Sequence, residues 1–124
     1  MDTQRPINLN LFTIKFPIAA IVSILHRLSG FFLFLIIPFM LWTLDFSLTS
    51  QDNFQSLHDN LVTPTAKVLI LLLLSPCIYH FVAGIRHLLM DMELGVELKS
   101  GRIAAILTIL ITLLLIILTG VYIW

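Results

Sequence analysis

The stretch IAAILTILITLLLIILTGVYIW, from Ile103 to Trp124, contains no Asp, Glu, Lys or Arg, and its reading decides the fold class. At ~1.5 Å rise per residue, a helix of that length crosses the ~30 Å hydrocarbon core of a bilayer. Two further runs lack acidic and basic residues, Leu28 to Leu44 and Val68 to Ile85. They reach spanning length when extended, the first back over Phe16 to Arg27 and the second forward to Asp91. Both extensions carry charged or titratable side chains into the membrane. None of the three runs shows the strict alternation of a half-buried strand or the polar face of a surface helix, which excludes a soluble fold.

Composition agrees: 59% of the chain is hydrophobic and 11% charged, against roughly 45–50% and about 25% in soluble domains. The expected architecture is an all-α integral membrane protein, one membrane-anchor domain over 1–124, with transmembrane helices at about 18–44, 66–91 and 103–124. Between the first two, Asp45 to Lys67 is polar, and Asp52, Asn53, Asp59, Asn60 and Pro64 read as an exposed loop. Thr63, Pro64 and Thr65 open the second helix. Gly95, Ser100 and Gly101 suit a short turn between antiparallel helices over Met92 to Arg102.

Seven basic residues balance seven acidic ones, so there is no electrostatic footprint for nucleic acid. Six cations, Arg5, Lys15, Arg27, Arg86, Lys99 and Arg102, flank one side of the predicted bundle, and Lys67 alone flanks the other. The bias of basic residues toward the cytoplasm predicts a cytoplasmic N-terminus and an outer C-terminus, with Tyr122 and Trp124 as interfacial aromatics. No small-residue cleavage site follows a short apolar core, and there is no Arg- and Ser-rich transit segment, so the expected address is a bacterial inner membrane. Cys77 has no second cysteine to pair with. It reads as a small hydrophobe, which excludes an internal disulfide and a cysteine-held iron–sulfur or zinc site.

Chemistry concentrates on the first two helices. Ser23, His26, Arg27 and Gly30 follow at intervals that place them on one face near the cytoplasmic end. An arginine at depth is costly unless it snorkels or meets an anion. On the second helix His80, Gly84, His87 and Asp91 fall in one narrow stripe, and the glycine leaves room for a flat ligand beside the histidines. His80 lies near mid-span and His87 about 10 Å nearer the cytoplasm, too far apart to share one iron. A neutral imidazole at that depth suits an axial haem ligand, and equally an interhelical hydrogen bond. A six-coordinate haem would then need a second histidine from another subunit. Arg86 reads as snorkelling to headgroups, with a cofactor carboxylate as the alternative. Tyr79 reads as packing, and the third helix as scaffold.

Three stretches resemble one family in combination: Arg5-Pro6-Ile7-Asn8-Leu9, Ser23-Ile24-Leu25-His26-Arg27-Leu28-Ser29-Gly30, and His80-Phe81-Val82-Ala83-Gly84-Ile85-Arg86-His87-Leu88-Leu89-Met90-Asp91. They resemble the cytochrome b membrane-anchor subunit of succinate dehydrogenase, over essentially the whole chain. Many members carry Ser-Pro-His after the Arg-Pro, where this chain has Asn8-Leu9-Asn10; that segment is expected to pack on partner subunits. The resemblance implies His80 as axial ligand of a haem b shared with a second small anchor subunit. It places Ser23 and Arg27 in the ubiquinone pocket and His26 with Arg27 at the haem propionates, and makes His87 a further candidate for cofactor contact. FAD and iron–sulfur clusters are then held by flavoprotein and iron–sulfur partner subunits, and membrane lipid surrounds the anchor. A fumarate reductase anchor, or a non-redox assembly or transport subunit whose polar residues only join helices, is the alternative.

Overall fold

The structure is a computed structural model that describes residues 14–124; the Arg5 to Leu9 motif and Asn10 lie outside the described residues. Four helices follow one another: α1 (Ile18–Thr49), α2 (Gln51–Leu61), α3 (Pro64–Asp91) and α4 (Leu98–Ile123). Three of them, α1, α3 and α4, are long and apolar enough to cross a membrane. The chain is thus the all-helical membrane protein that its apolar runs predict. Each span outruns the uncharged stretch that announces it, because that stretch marks only the hydrocarbon layer. Helices continue into the headgroup layer, where Lys, Arg and Asp side chains are tolerated. α4 accordingly starts at Leu98 rather than near 103, and α1 runs to Thr49 rather than 44.

The loop expected between Asp45 and Lys67 is corrected: most of it is helical. Ser50 caps α2 by accepting the Asn53 N–H at 3.1 Å, and Asp52 in the first turn complements the positive helix end. Phe54, Leu57 and Leu61 recur at three and four residues, so this short helix has one apolar stripe. The start of α3 is as expected. Thr63 accepts the Ala66 N–H at 3.3 Å and Pro64 occupies the first turn, where a missing N–H is harmless.

α3 packs against both α1 and α4, and α1 touches α4. Lys67 near the start of α3 donates to the Trp124 carbonyl at 3.3 Å, so the end of α4 lies beside the start of α3. The ends of α3 and α4 that meet at the second connection lie on the opposite side. Val22, Ala83 and Ala105 form the fully buried centre, one from each span. Lipid tails are as apolar as leucine, so spans associate by close approach of small residues and by interhelical hydrogen bonds. α4 presents Gly101, Ala105, Thr108 and Thr112, all buried and on one face, while its leucines and isoleucines are largely exposed for lipid.

The second connection is tight. Leu94 N–H bonds the Leu89 carbonyl at 2.9 Å and Glu93 N–H the Met90 carbonyl at 3.0 Å, a Schellman closure of α3. Gly95 follows at φ +75° with open space around its α-carbon. Replacing it with alanine should therefore add backbone strain without a clash, about 1 kcal/mol. The expected readout is a lower thermal midpoint of the detergent-solubilised protein with the spans intact by circular dichroism.

Candidate functional site

α1 and α3 meet through two reciprocal glycine–histidine contacts. A side chain built on Gly30 would place its Cβ 2.9 Å from His80 Cε1, and one on Gly84 would lie 3.5 Å from His26 Nε2. Each helix thus gives way where the other presents an imidazole. The rings of His26 and His80 stack at 4.2 Å with 16° between their planes. His87 lies on the other side of His26 at 4.7 Å, tilted 47°. The result is a column of three imidazoles, His80, His26 and His87, between two spans. Among the described residues, no three His, Cys, Asp or Glu side chains are grouped to hold a bare metal ion.

Hydrogen bonds orient the column. Ser29 donates its one hydroxyl proton to the His26 carbonyl at 2.7 Å. Toward His80 Nδ1, 3.0 Å away, its oxygen can then only accept. The His26 carbonyl lies 3.2 Å from the same nitrogen. Two acceptors on Nδ1 require the proton there and leave the lone pair on Nε2. At the other end, Ser23 Oγ is 3.3 Å from His87 Nε2. His26 Nε2 and His87 Nδ1 are buried and have no partner among the described residues. Orphaned polar atoms of this kind are expensive in a low-dielectric interior and mark places for a missing group.

The predicted residues are only partly brought together. Ser23, His26 and Gly30 face α3, but Arg27 is exposed, one residue and so ~100° beyond His26. Gly84 does not stand open to a flat ligand: the room it leaves is taken by the His26 ring. Asp91 is exposed at the end of the stripe that holds His80, Gly84 and His87. Arg86 does not reach outward as expected; it is 6% exposed, and its Nε has no partner among the described residues. Tyr79 does more than pack, since its hydroxyl donates to the Val22 carbonyl at 2.7 Å. Cys77 bonds its own helix at the Leu73 carbonyl, as a half-buried small residue would.

Ser29 was not distinguishable in the sequence. A serine inside an apolar helix ordinarily bonds its own backbone, which it does here. Its second contact, to His80, arises only from the crossing of two helices.

A bundle of three membrane-length helices with a column of half-buried histidines between two of them defines a multi-span membrane subunit built around an imidazole site. The chain belongs to the family described as succinate dehydrogenase/fumarate reductase transmembrane subunit, whose model matches residues 1–119. It is 40% identical to the succinate dehydrogenase cytochrome b556 subunit of Coxiella burnetii, over all of both chains. It is 32% identical to the subunit of that name from Paracoccus denitrificans, over 80% of this chain and 76% of the relative. The Rickettsia felis counterpart is 29% identical, with 90% of each chain covered. A bacterial membrane-subunit family and three membrane-length helices fit the inner-membrane address read from the sequence.

Proposed function

We propose that this chain is the haem b-binding anchor of a succinate dehydrogenase in a bacterial inner membrane, with its N-terminus cytoplasmic. The observation that carries this reading is the doubly accepted Nδ1 of His80. That bonding fixes the imidazole with Nε2 as the free donor, the form in which histidine ligates iron. The residues fit a haem in a second respect. His26 Nε2 and His87 Nδ1 lack partners among the described residues, and propionates or ordered water would satisfy them.

In this reading His80 would hold the haem iron through Nε2, together with a histidine of a second small anchor subunit. His26 and Arg27 pair with the propionates, and Ser23 with Arg27 lines the ubiquinone site. When bound, the haem would supply a one-electron centre. This chain's own residues hold and orient. Ser29 and the His26 carbonyl keep the His80 ring from rotating, Gly30 admits it, and Ser23 offers a hydroxyl at the quinone end. Flavin and iron–sulfur chemistry belongs to soluble partner subunits that the anchor tethers. The family description covers succinate oxidation and fumarate reduction alike; the relatives' names favour the former.

The test is a reduced-minus-oxidised spectrum of the purified membrane complex, with its subunits identified by mass. The expected result is a bis-histidine b-type spectrum in a complex of four different polypeptides. A complex of that composition without haem would leave the family intact and overturn the haem assignment. The chain purified without soluble partners would favour a non-redox role.

A further inference from the structure

We propose that the cavity between the start of α1, the end of α3 and the start of α4 binds the headgroup phosphate of an anionic membrane phospholipid. The cavity measures about 790 Å³, and Arg86, Glu97, Lys99 and Arg102 line it together with apolar walls that include Phe16 and Ile106. This proposal needs only the membrane fold and stands independently of the haem reading.

Arg86 makes the demand. It is 6% exposed, and its Nε is buried without a partner among the described residues. A guanidinium cannot shed its charge, and a buried cation without a counter-charge is strongly unfavourable. An anion entering the cavity would supply the partner that Nε lacks. A second, independent feature faces the same space. Glu97 and Lys99 at the start of α4 line the cavity, and the Glu97 side chain makes no cap hydrogen bond there. The first N–H groups of this 26-residue helix and the positive end of its dipole thus open on the site. Among the charged residues on the walls, three cations outnumber one carboxylate.

Depth and wall chemistry choose the anion. Arg86 lies five residues from the end of α3, ~7.5 Å along the axis. Lys99 and Arg102 stand in the first turns of α4. These are the levels at which lipid headgroups meet the hydrocarbon. A free phosphate would satisfy the cations but leave Phe16 and Ile106 facing water, whereas a phospholipid covers both with one molecule. The excess of cations favours a headgroup with net negative charge over a zwitterionic one.

The experiment uses the whole membrane complex, stripped of lipid by detergent exchange and then titrated with dioleoylphosphatidylglycerol. Parallel arms receive dioleoylphosphatidylcholine or inorganic phosphate. Bound lipid is counted by native mass spectrometry, the thermal midpoint is followed, and haem absorbance serves as a separate readout. Wild type should retain phosphatidylglycerol at one site per copy of this chain and rise in midpoint. Arg86→Gln and the exposed-rim variant Arg102→Gln should each retain it roughly tenfold more weakly with haem content unchanged. If Arg86→Gln does not assemble, Arg102→Gln and Lys99→Gln carry the test. Wild-type lipid retention in the variants that assemble would overturn the site. Equal retention of phosphatidylcholine would overturn the anionic headgroup, and an equal midpoint rise with inorganic phosphate would overturn the lipid. Haem loss in Arg86→Gln with lipid retention unchanged would instead move Arg86 to a cofactor carboxylate.

Discussion

Replacing His80 with Leu should remove the b-type absorbance of the purified complex almost entirely, while His87→Leu should leave most of it. The expectation separates two histidines of one motif by their bonding. His80 has its Nδ1 engaged by Ser29 at 3.0 Å and by the His26 carbonyl at 3.2 Å, so Nε2 is the atom left free to ligate and the ring is held at its other nitrogen. His87 has one contact, Nε2 to Ser23 at 3.3 Å, and a partnerless, buried Nδ1, so its ring is held less firmly than that of His80. Leucine is close to imidazole in volume and cannot ligate, so haem loss with the complex still assembled reports the iron bond rather than packing. Gly30→Val offers an independent check on the same ligand. Even its Cβ would stand 2.9 Å from His80 Cε1, which forces the imidazole to tilt. That variant should bind haem poorly or with a shifted reduction potential although no ligand has been touched. An intact spectrum in His80→Leu, with haem lost in His87→Leu, would transfer the assignment to His87.

The spans were legible because membrane helices announce themselves by what they lack. Runs without acidic or basic residues located α1, α3 and α4, and the Thr63 cap with Pro64 located the start of α3. α2 was hidden by the opposite property: its polar composition reads as loop. Its signal was present in the Ser50 to Asn53 cap spacing and in the recurrence of Phe54, Leu57 and Leu61. Within the site, helical arithmetic puts Ser23, His26, Arg27 and Gly30 on one face and His80, Gly84, His87 and Asp91 on another; these faces do meet, but Arg27 and Asp91 stay exposed outside the contact. What arithmetic on a single helix cannot give is which neighbour fills a gap. The space beside Gly84 suggested a ligand, and it holds the His26 ring. Ser29, one residue from Gly30, gives no signal in the sequence because its partner, His80, is on the other helix. Arg86 looked able to reach the headgroups, yet the packing of α1 and α4 around it keeps the side chain inside.

Loss of quinone reduction is the second large effect expected, and it falls on Ser23 and Arg27. A quinone carbonyl gains negative charge as it is reduced, so donors aimed at that oxygen lower the barrier more than they strengthen binding. Ser23 Oγ is 3.3 Å from His87 Nε2. If the imidazole N–H points at Oγ, the hydroxyl proton is free to turn toward a quinone, and His87 positions the donor. Arg27 is exposed on this chain, one turn along from Ser23 and turned away from the His26 column, which suits a site completed by partner subunits. Ser23→Ala and Arg27→Lys should retain succinate oxidation with an artificial acceptor that takes electrons upstream of quinone. Their ubiquinone reductase rates should fall about ten- to a hundredfold, the kinetic equivalent of roughly 1.5–3 kcal/mol for one hydrogen bond to a charged group. Arg27→Lys keeps the positive charge but loses the planar fork of donors. A propionate-pairing role would therefore survive it better than a quinone-binding role, and haem content measured on the same samples separates the two. Wild-type ubiquinone kinetics in both variants at full haem content would remove these residues from the quinone site and leave Ser23 as the hydrogen-bond partner of His87 alone.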